Sequence, residues 1–321
     1  MNFAVIGLGS FGIKRAQSIK NSKLAKLFGI HDTNKVNAEK AKNILDAPIL
    51  DYDQILEDKS IDVICICTPN KFHKDIIIDS LKSGKNVFCE KPLCMNMREA
   101  EEIYKIEKNS KKTLQIGSNH RFFESVMFAK KLVDKELIGE ILSFSGRIGH
   151  DGERLKDSWF WNKKISGGGT LLDNGCHLID LSRYFLGDFI SGKGITSNSY
   201  WKDISVEDTA TCSFETQDGK TATIFSSWRL LSGYFFFELN GSKGYINVDG
   251  RFDSHGGDKV YWRNFDGRLE SKDFSHLKPN SYQLEIENFI KNLQQDKNCS
   301  PSAKDGFCLL YTSDAADEED S

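Results

Sequence analysis

Three glycines within six residues, in the segment GLGSFG at positions 7–12, constrain the fold of this chain more than any other sequence feature. They follow a short apolar run, Asn2–Ile6, and precede a helix-forming segment, Phe11–Asn21. Between a strand and a helix, this spacing permits a tight turn, close packing of helix on strand, and approach of a pyrophosphate to the backbone. The free N–H groups of the helix N-terminus then face the phosphates. The segment therefore predicts a dinucleotide-binding strand–turn–helix unit.

Strand and helix patterns alternate after this loop. The strand candidates are Leu27–Ile30, Asp62–Cys67, Asn86–Cys89 and Thr113–Ile116. Helical patterns lie between them at Val36–Leu45, Lys74–Leu81 and Met97–Lys108. Near-continuous apolar runs such as DVICIC at 62–67 are typical of strands that helices cover on both faces. The alternation predicts a doubly wound parallel sheet, a Rossmann domain of the α/β class, over residues 1–118.

The pattern changes after residue 118. Helical segments are predicted at Phe122–Lys135 and Thr170–Phe185, with a strand at Ile141–Ile148 between them, and strands dominate from there on. The later strand candidates are Thr209–Glu215, Thr221–Trp228, Tyr234–Leu239 and Gly244–Val248, the first two flanking a hairpin turn. An amphipathic helix is predicted at Tyr282–Leu293. We expect residues 119–301 to form a second domain of the α+β type, with a mostly antiparallel sheet.

Composition narrows the class of protein. A length of 321 residues fits two domains, and a formal net charge of −3 argues against nucleic acid or an anionic membrane as a partner. No secretory leader pattern or apolar run of about 18 residues is present, so a cytoplasmic location is expected. The eight cysteines lack CxxC pairs, so neither a disulfide framework nor a metal site is expected. Cys65 and Cys67 are interpreted as small core residues, with a redox pair as the alternative.

Asp32 lies 20 residues after Gly12, at the end of the second strand candidate. A carboxylate at this position can accept both ribose hydroxyls and repels a 2′-phosphate, which favours NAD over NADP. The alternative is that Asp32 only caps the following helix.

Two further polar motifs carry candidate catalytic residues, one after the strand candidate Asn86–Cys89 and one on a later predicted helix. Lys91, in the tripeptide EKP at 90–92, can donate a hydrogen bond to a substrate oxygen, although a solvated loop lysine is the alternative. Asp173 and His177 lie four residues apart on a predicted helix, a spacing that places both on one face. Histidine exchanges protons near neutral pH, and a nearby carboxylate can orient it. A purely structural pair is the alternative.

Together these motifs resemble the glucose–fructose oxidoreductase / inositol dehydrogenase / MocA family. The matching segments are GLGSFG at 7–12, CTPNKFH at 67–73, EKPL at 90–93, GSNHRF at 117–122 and GGGTLLDNGCHLIDL at 167–181. The resemblance implies an NAD(H)-dependent oxidoreductase that acts on a sugar, cyclic polyol or nucleotide sugar. It also implies that residues 119–301 form a substrate-binding and oligomerisation domain, whose open sheet joins the subunits of a homo-oligomer. Alternatives are a lyase or glycosidase that uses NAD for transient oxidation, and a non-catalytic dinucleotide sensor. Retention of Lys91, Asp173 and His177 argues against the sensor.

The resemblance also implies residue roles. His177 is expected to exchange the proton of the reacting hydroxyl, and Lys91 to donate a hydrogen bond to its oxygen. Asp173 is expected to position the substrate or to assist the proton relay. Which of His177 and Lys91 is the principal acid/base stays open. The expected cofactor contacts are Gly7, Gly9, Ser10, Phe11, Gly12, Asp32, Thr68, Pro69, Asn70, His73, Glu90, Lys91 and Asn119. The expected substrate contacts are Lys91, Arg121, Trp161, Asp173 and His177.

Three residues of the second domain each have two possible roles. Arg121 can bind a carboxylate or phosphate of a ligand, or form a surface ion pair. Trp159 and Trp161 can form an aromatic wall for a sugar ring, or pack in the core.

The last residues of the chain have an unusual sequence. Residues 308–318, CLLYTSDAADE, resemble a translated sequencing adapter, with a genuine acidic tail as the alternative. We expect residues 302–321 to be an aberrant segment, a truncated closing helix followed by this tail.

Overall fold

Five short, mostly buried strands form the first sheet, where the apolar runs of the sequence predict them. The computed structural model describes residues 1–251, 256–278, 280–306 and 308 of the chain. The strands are β1 (Asn2–Ile6), β2 (Lys26–His31), β3 (Val63–Ile66), β4 (Asn86–Cys89) and β5 (Leu114–Ile116). All pair in parallel, in the order β2-β1-β3-β4-β5. The order reverses between β1 and β3, and ligands of such sheets bind outside the carboxyl ends of the strands at that point.

Helices connect these strands. They are α1 (Ser10–Asn21), α2 (Lys35–Leu45), α3 (Tyr52–Glu57), α4 (His73–Lys82) and α5 (Met97–Asn109). The predicted bounds of α1, α2, α4 and α5 are confirmed to within one residue at each end. The short helix α3 is not predicted, because its six residues carry less than two turns of periodic pattern.

The later part of the chain returns to this first unit, which consists of Met1–Ser118 and Tyr282–Phe307. The returning segment includes helix α9 (Ser281–Gln294), whose Ile286, Phe289 and Ile290 belong to the same buried cluster as Phe3, Val5 and Phe88. The rings of Phe88 and Phe289 meet edge to face, with centroids 5.6 Å apart. By its position in the sequence, this helix is predicted to belong to the domain at residues 119–301. The structure differs because an apolar stripe shows that a helix buries one face, but not which sheet it covers.

The second unit, Asn119–Ser281, contains an eight-stranded sheet. Its strands are β6 (Ile141–Asp151), β7 (Phe189–Ser197), β8 (Thr209–Thr216), β9 (Thr221–Ser227), β10 (Arg229–Gly241), β11 (Gly244–Arg251), β12 (Gly256–Asn264) and β13 (Glu270–Asp273). The order is β13-β12-β11-β10-β6-β9-β8-β7, and only the β6–β9 pair is parallel among these neighbours. Strand β8 alternates strictly between buried and solvent-facing residues, as expected of a sheet with one covered face. The predicted fold class is confirmed.

The helical segments of this unit are α6 (Glu124–Asp134), α7 (Lys163–Ser166), a π-helical turn at Leu171–Gly175 and α8 (Cys176–Leu186). Helices α6 and α8 pack on the sheet. Leu178 of α8 belongs to the same buried cluster as Phe144 of β6 and Phe237 of β10. Fully burying each such side chain contributes about 1.5–3 kcal/mol.

Within the described residues, no helix combines the length and the apolar character needed to cross a membrane. After α9, Ser302 pairs with Gln115 at the edge of the first sheet, where Ile116 N–H donates to Pro301 O at 2.9 Å. Apart from Cys308, the predicted adapter-like tail lies outside the described residues.

Candidate functional site

Two glycines of the loop after β1 are required by the fold itself. Gly7 has a φ of +91°, and a Cβ there would lie 2.6 Å from the backbone carbon of Cys67, at the end of β3. A Cβ on Gly12 would lie 1.9 Å from Gly7 O. Both positions are too close for any side chain. These glycines let β1, β3 and the start of α1 approach one another.

Gly9 differs from these two glycines. A Cβ at this position would meet nothing within 4 Å, and its backbone, with φ −66° and ψ −172°, is open to any residue. Gly9 is the N-cap of α1, and no side chain caps this helix among the described residues. Ser10 and Phe11 in the first turn are exposed. Uncapped N–H groups beside an empty backbone surface fit the pyrophosphate of a dinucleotide.

Asp32, at the end of β2, is tied to the same loop. Leu8 N–H donates to Asp32 Oδ2 at 2.7 Å, and Asn34 N–H donates to Oδ1 at 2.8 Å. The side chain that caps α2 is Asn34, which accepts from Val36 N–H and Asn37 N–H. Each carboxylate oxygen of Asp32 therefore accepts one backbone hydrogen bond and has a lone pair left. Capping of α2, the alternative considered for Asp32, belongs to Asn34.

The loop after β3 carries Thr68, Pro69 and Asn70. Thr68 Oγ1 is buried and has no hydrogen-bond partner among the described residues, so a ligand can satisfy it. Pro69 precedes a 3₁₀ turn at Asn70–Phe72, in which Asn70 is buried. Because β3 borders the point where the strand order reverses, this loop lies at the expected ligand edge.

His73 links two loops of the first unit. One ring nitrogen lies 2.8 Å from Thr68 O and the other 2.9 Å from Pro92 O. Burial lowers the pKa of His73, although these two carbonyls oppose the shift. With both ring nitrogens bonded to backbone, His73 supports the loops after β3 and β4. It was expected to contact the cofactor directly; its ring is instead engaged by protein atoms.

Glu90 and Lys91 follow β4. Glu90 accepts a hydrogen bond from the buried guanidinium of Arg15 in α1. Lys91 is half-buried. Burial raises the pKa of Tyr282, and the positive charge of Lys91 opposes that shift. Arg15 and Tyr282 were missed at the sequence level. The visible signal for Arg15 was a charge on the apolar face of α1, beside the buried Gly12, Ala16 and Ile19.

In the second unit, Asp173 lies in the π-helical turn rather than in a regular α-helix. The carboxylate of Glu207 binds the backbone at the start of this turn, accepting from Gly169 N–H at 2.8 Å and from Leu171 N–H at 3.0 Å. Asp173 Oδ2 accepts from Trp228 Nε1 at 3.2 Å and lies 3.7 Å from His150 Nε2. The prediction of a continuous α-helix through Thr170–Phe185 is therefore wrong at its start. The i, i+4 argument for a shared face does not apply across a π turn.

His177 stands near the start of α8 and is buried. Its ring lies against that of His120, with centroids 3.7 Å apart and planes at 38°. His120 also contacts Phe123 and Phe235. Among its described residues, the second unit thus contains three buried histidines, His120, His150 and His177, and the half-buried carboxylate of Asp173 lies beside one of them, His150. His150 was missed because nothing in the pattern of β6 distinguishes it. Side chains of these types can exchange a proton with a hydroxyl group.

Other predicted site residues are engaged in protein contacts. Arg121 makes a two-pronged ion pair with Asp180, Nε to Oδ2 at 2.8 Å and Nη2 to Oδ1 at 2.5 Å, with both side chains buried. This corrects both earlier interpretations, a free anion binder and a surface pair. Removing one partner of such a pair costs about 3–5 kcal/mol. Asn119 Nδ2 donates to Ser281 Oγ at 3.1 Å.

The predicted aromatic wall is half-buried rather than part of the core. Trp159 stacks on Phe160, and Trp161 lies 5.3 Å from Trp201, centroid to centroid. No residue of the Trp159–Trp161 turn is fully buried. Core packing, the alternative for these tryptophans, is not what the structure shows.

Comparison with known proteins gives a consistent result. The model of the oxidoreductase family with an NAD-binding Rossmann fold, GFO_IDH_MocA, matches residues 1–118. The GFO/IDH/MocA C-terminal domain matches residues 126–247. Inositol 2-dehydrogenase of Rhizobium meliloti (strain 1021) is 26% identical over 98% of this chain and 96% of its own length.

Two further proteins extend the comparison. 2,7-anhydro-N-acetylneuraminate hydratase of Escherichia coli (strain K12) is 29% identical over 78% of this chain and 68% of its own length. The structure of levoglucosan dehydrogenase in complex with NADH and levoglucosan superposes with a TM-score of 0.89 at 24% identity, covering 99% of this chain and 96% of that one. This last likeness shows the fold.

Proposed function

Because the chain belongs to the GFO/IDH/MocA oxidoreductase family, with an NAD-binding Rossmann domain at residues 1–118, we propose that it transfers a hydride between NAD and a hydroxyl-bearing carbon of a sugar, cyclic polyol or nucleotide sugar. The observation that carries the proposal is the open backbone surface at Gly9. A Cβ there would meet nothing within 4 Å, so the fold itself does not require glycine at this position. The full-length similarity to an inositol 2-dehydrogenase supports a polyol as the substrate class.

The proposed roles of individual residues follow from their chemistry. Bound NAD supplies a nicotinamide ring that takes up or returns the hydride. The Gly9 backbone and Asp32 hold the pyrophosphate and the ribose. Lys91 donates a hydrogen bond to the reacting oxygen and stabilises its developing charge. His177 exchanges the proton of that hydroxyl, and Asp173 orients the substrate. Whether His177 or Lys91 is the principal acid/base is decided by the pH profiles of their variants.

Asp32→Asn is expected to weaken NADH binding at least about tenfold while changing NADPH binding less. The amide removes the charge that repels a 2′-phosphate and one acceptor for the ribose hydroxyls, and tenfold in affinity corresponds to about 1.4 kcal/mol. Titration of the fluorescence of both cofactors measures the two affinities. Asp46→Asn at the end of α2 is the control, since Asn tolerates the left-handed backbone there, with φ 49°. Wild-type protein that binds NADPH as tightly as NADH would contradict the role of Asp32.

His177→Gln is expected to lower kcat by about 10²–10⁴-fold, because the amide cannot exchange a proton. The glutamine keeps the size and polarity needed next to His120, so the melting temperature serves as the control for folding. An undiminished rate with a confirmed substrate would remove His177 from the site.

A second candidate, a lyase or hydratase that oxidises its substrate only transiently, is favoured by one observation. The chain is 29% identical over 78% of its length to a protein named as a hydratase. Net cofactor turnover separates the two functions. In a screen of inositols, aldoses and nucleotide sugars with added NAD, a dehydrogenase accumulates NADH. A lyase instead consumes its substrate without net formation of NADH.

The second unit is proposed to bind the substrate and to form homo-oligomers through its sheet. Exposed apolar side chains on the edge strand β7, Ile190 and Ile195, support a protein partner at this sheet. Light scattering coupled to size exclusion measures the oligomeric state. The expected cytoplasmic location stays a prediction, which cell fractionation tests.

A further inference from the structure

A buried cluster of charges joins three parts of the first unit. Arg15 of α1 donates to Glu90, which follows β4, and its Nη1 atom lies 2.5 Å from Oε2 of Glu285 in α9. The side chains of Arg15 and Glu285 are 0% exposed, and that of Glu90 is 12% exposed. These three residues are called the charge cluster below.

The guanidinium of Arg15 is held on its flat sides as well. Its central carbon lies 4.8 Å from the ring centroid of Phe88 and 4.6 Å from that of Tyr282. Ser118 N–H donates to the other oxygen of Glu285. A guanidinium packed between two rings and joined to two carboxylates has little freedom to move.

Such a cluster is a poor device for stability alone. Burying ions costs several kcal/mol each, and apolar residues of similar volume often replace a buried ion pair without loss. Within these three residues one cation faces two carboxylates, so the charge cluster carries a net negative charge when both carboxylates are ionised. The position of the cluster therefore invites a functional explanation. It lies directly before Lys91 in the chain, and α1 begins at the glycine-rich loop.

We propose that Arg15 and Glu285 are positioning residues for Lys91, because they anchor Glu90, its neighbour in the chain, to the helix of the glycine-rich loop and to helix α9. The proposal rests on the role assigned to Lys91 under the proposed function. It adds two residues, from distant parts of the sequence, on which that role depends.

The cluster also couples Lys91 to pH. Burial raises the pKa of Glu285 to about 7, with Glu90 adding to the shift and Arg15 opposing it. Tyr282 faces the cluster from α9, and burial raises its pKa to about 12. Among the described residues, the thiols of Cys65 and Cys67 also interact with Arg15, and His73 and Cys89 interact with Glu90.

The sign of this coupling follows from the charges. Above neutral pH both carboxylates are ionised, the cluster carries a net negative charge, and the ammonium form of Lys91 is favoured. As the pH falls and Glu285 takes up a proton, the cluster becomes neutral and this support for the ammonium form is lost. The reactivity of the Lys91 amine should therefore not follow a single titration curve.

The test measures Lys91 directly, without substrate or cofactor. Trace labelling of the full chain with acetic anhydride between about pH 5.5 and 9, read by mass spectrometry, gives the reactivity of each lysine. Lys105, which is 73% exposed, is the internal reference. Wild-type Lys91 should show an additional inflection near the pKa of Glu285. Glu285→Gln should abolish it and raise Lys91 labelling at pH 8 severalfold, because losing the negative charge disfavours the ammonium form.

The matched control is Glu287→Gln, an acid on the same helix that pairs with Gln283 outside the cluster. It should label as the wild type does. A wild-type curve with one inflection, or equal Lys91 labelling in Glu285→Gln and Glu287→Gln, would overturn the proposal. If Glu285→Gln does not fold, the wild-type curve alone decides. Failure of every polyol to reduce NAD would count against the proposed function and leave the labelling result unchanged.

Discussion

Lys91→Met is expected to lower kcat/KM by about 10²–10⁴-fold while NADH affinity changes far less. Methionine keeps the length and the apolar stem of lysine but cannot donate a hydrogen bond to the reacting oxygen. Removing one donor to a developing oxyanion costs about 2.7–4 kcal/mol in the transition state. Steady-state rates with the best polyol of the screen measure the first effect, and fluorescence titration with NADH measures the second.

The control for this substitution is Lys105→Met. Lys105 is an exposed lysine of α5, paired with Glu101 one turn away, and its loss should change neither quantity. Equal kcat/KM in the two variants would mean that Lys91 is one of the solvated loop lysines considered at the outset. A large loss of NADH affinity in Lys91→Met would instead place the lysine in cofactor binding.

Gly9→Ala and Gly12→Ala are expected to separate cofactor binding from folding. The added methyl at Gly9 meets no protein atom within 4 Å, so the melting temperature should be nearly unchanged, while NADH affinity falls at least about tenfold. The methyl at Gly12 would sit 1.9 Å from Gly7 O, so the turn must open. Overpacking of that severity destabilises by about 3 kcal/mol or more.

Thermal unfolding and NADH titration on both variants check this contrast. Gly9→Ala protein that binds NADH with wild-type affinity would show that the loop after β1 is not the pyrophosphate site. A Gly12→Ala protein of wild-type stability would show that the close approach of α1 to β1 is not needed.

Local signals account for what the sequence predicts well. The glycine spacing at 7–12, the apolar run at 62–67 and the hairpin formed by β8 and β9 depend on residues close together in the chain. Turn chemistry and burial on both faces leave their pattern within a few residues. The parallel sheet and the loop before α1 therefore appear in the structure where the sequence predicts them.

Contacts between distant residues account for what the sequence did not give. Arg15 and Glu285 lie 270 positions apart in the chain, and no local pattern pairs them. Each nevertheless stands on the apolar face of an amphipathic helix, where a buried charge requires a partner. Two such charges on two helices are a signal that sequence reasoning can use. Asp180 is likewise a charge in a helix, α8, that is mostly buried, and its partner is Arg121.

The candidate proton-exchanging residues illustrate the same limit. The i, i+4 spacing of Asp173 and His177 is visible in the sequence, but the π turn that separates their surroundings is not. That turn depends on Glu207, which binds the backbone of Gly169 and Leu171 from more than thirty positions away. His150 approaches Asp173 only through the pairing of β6 within its sheet.

The return of helix α9 to the first unit has a consequence for the order in which the chain folds. On the ribosome, the apolar cluster around Phe88 lacks Ile286, Phe289 and Ile290 until the whole second unit has been synthesised. At about 5–20 residues per second, synthesis from the end of β5 to Ile290 takes roughly ten to thirty seconds. The second unit contains its own cluster and has all of its strands earlier. The unit that is translated first is thus completed after the second unit, and until then its uncovered apolar surface is prone to aggregation.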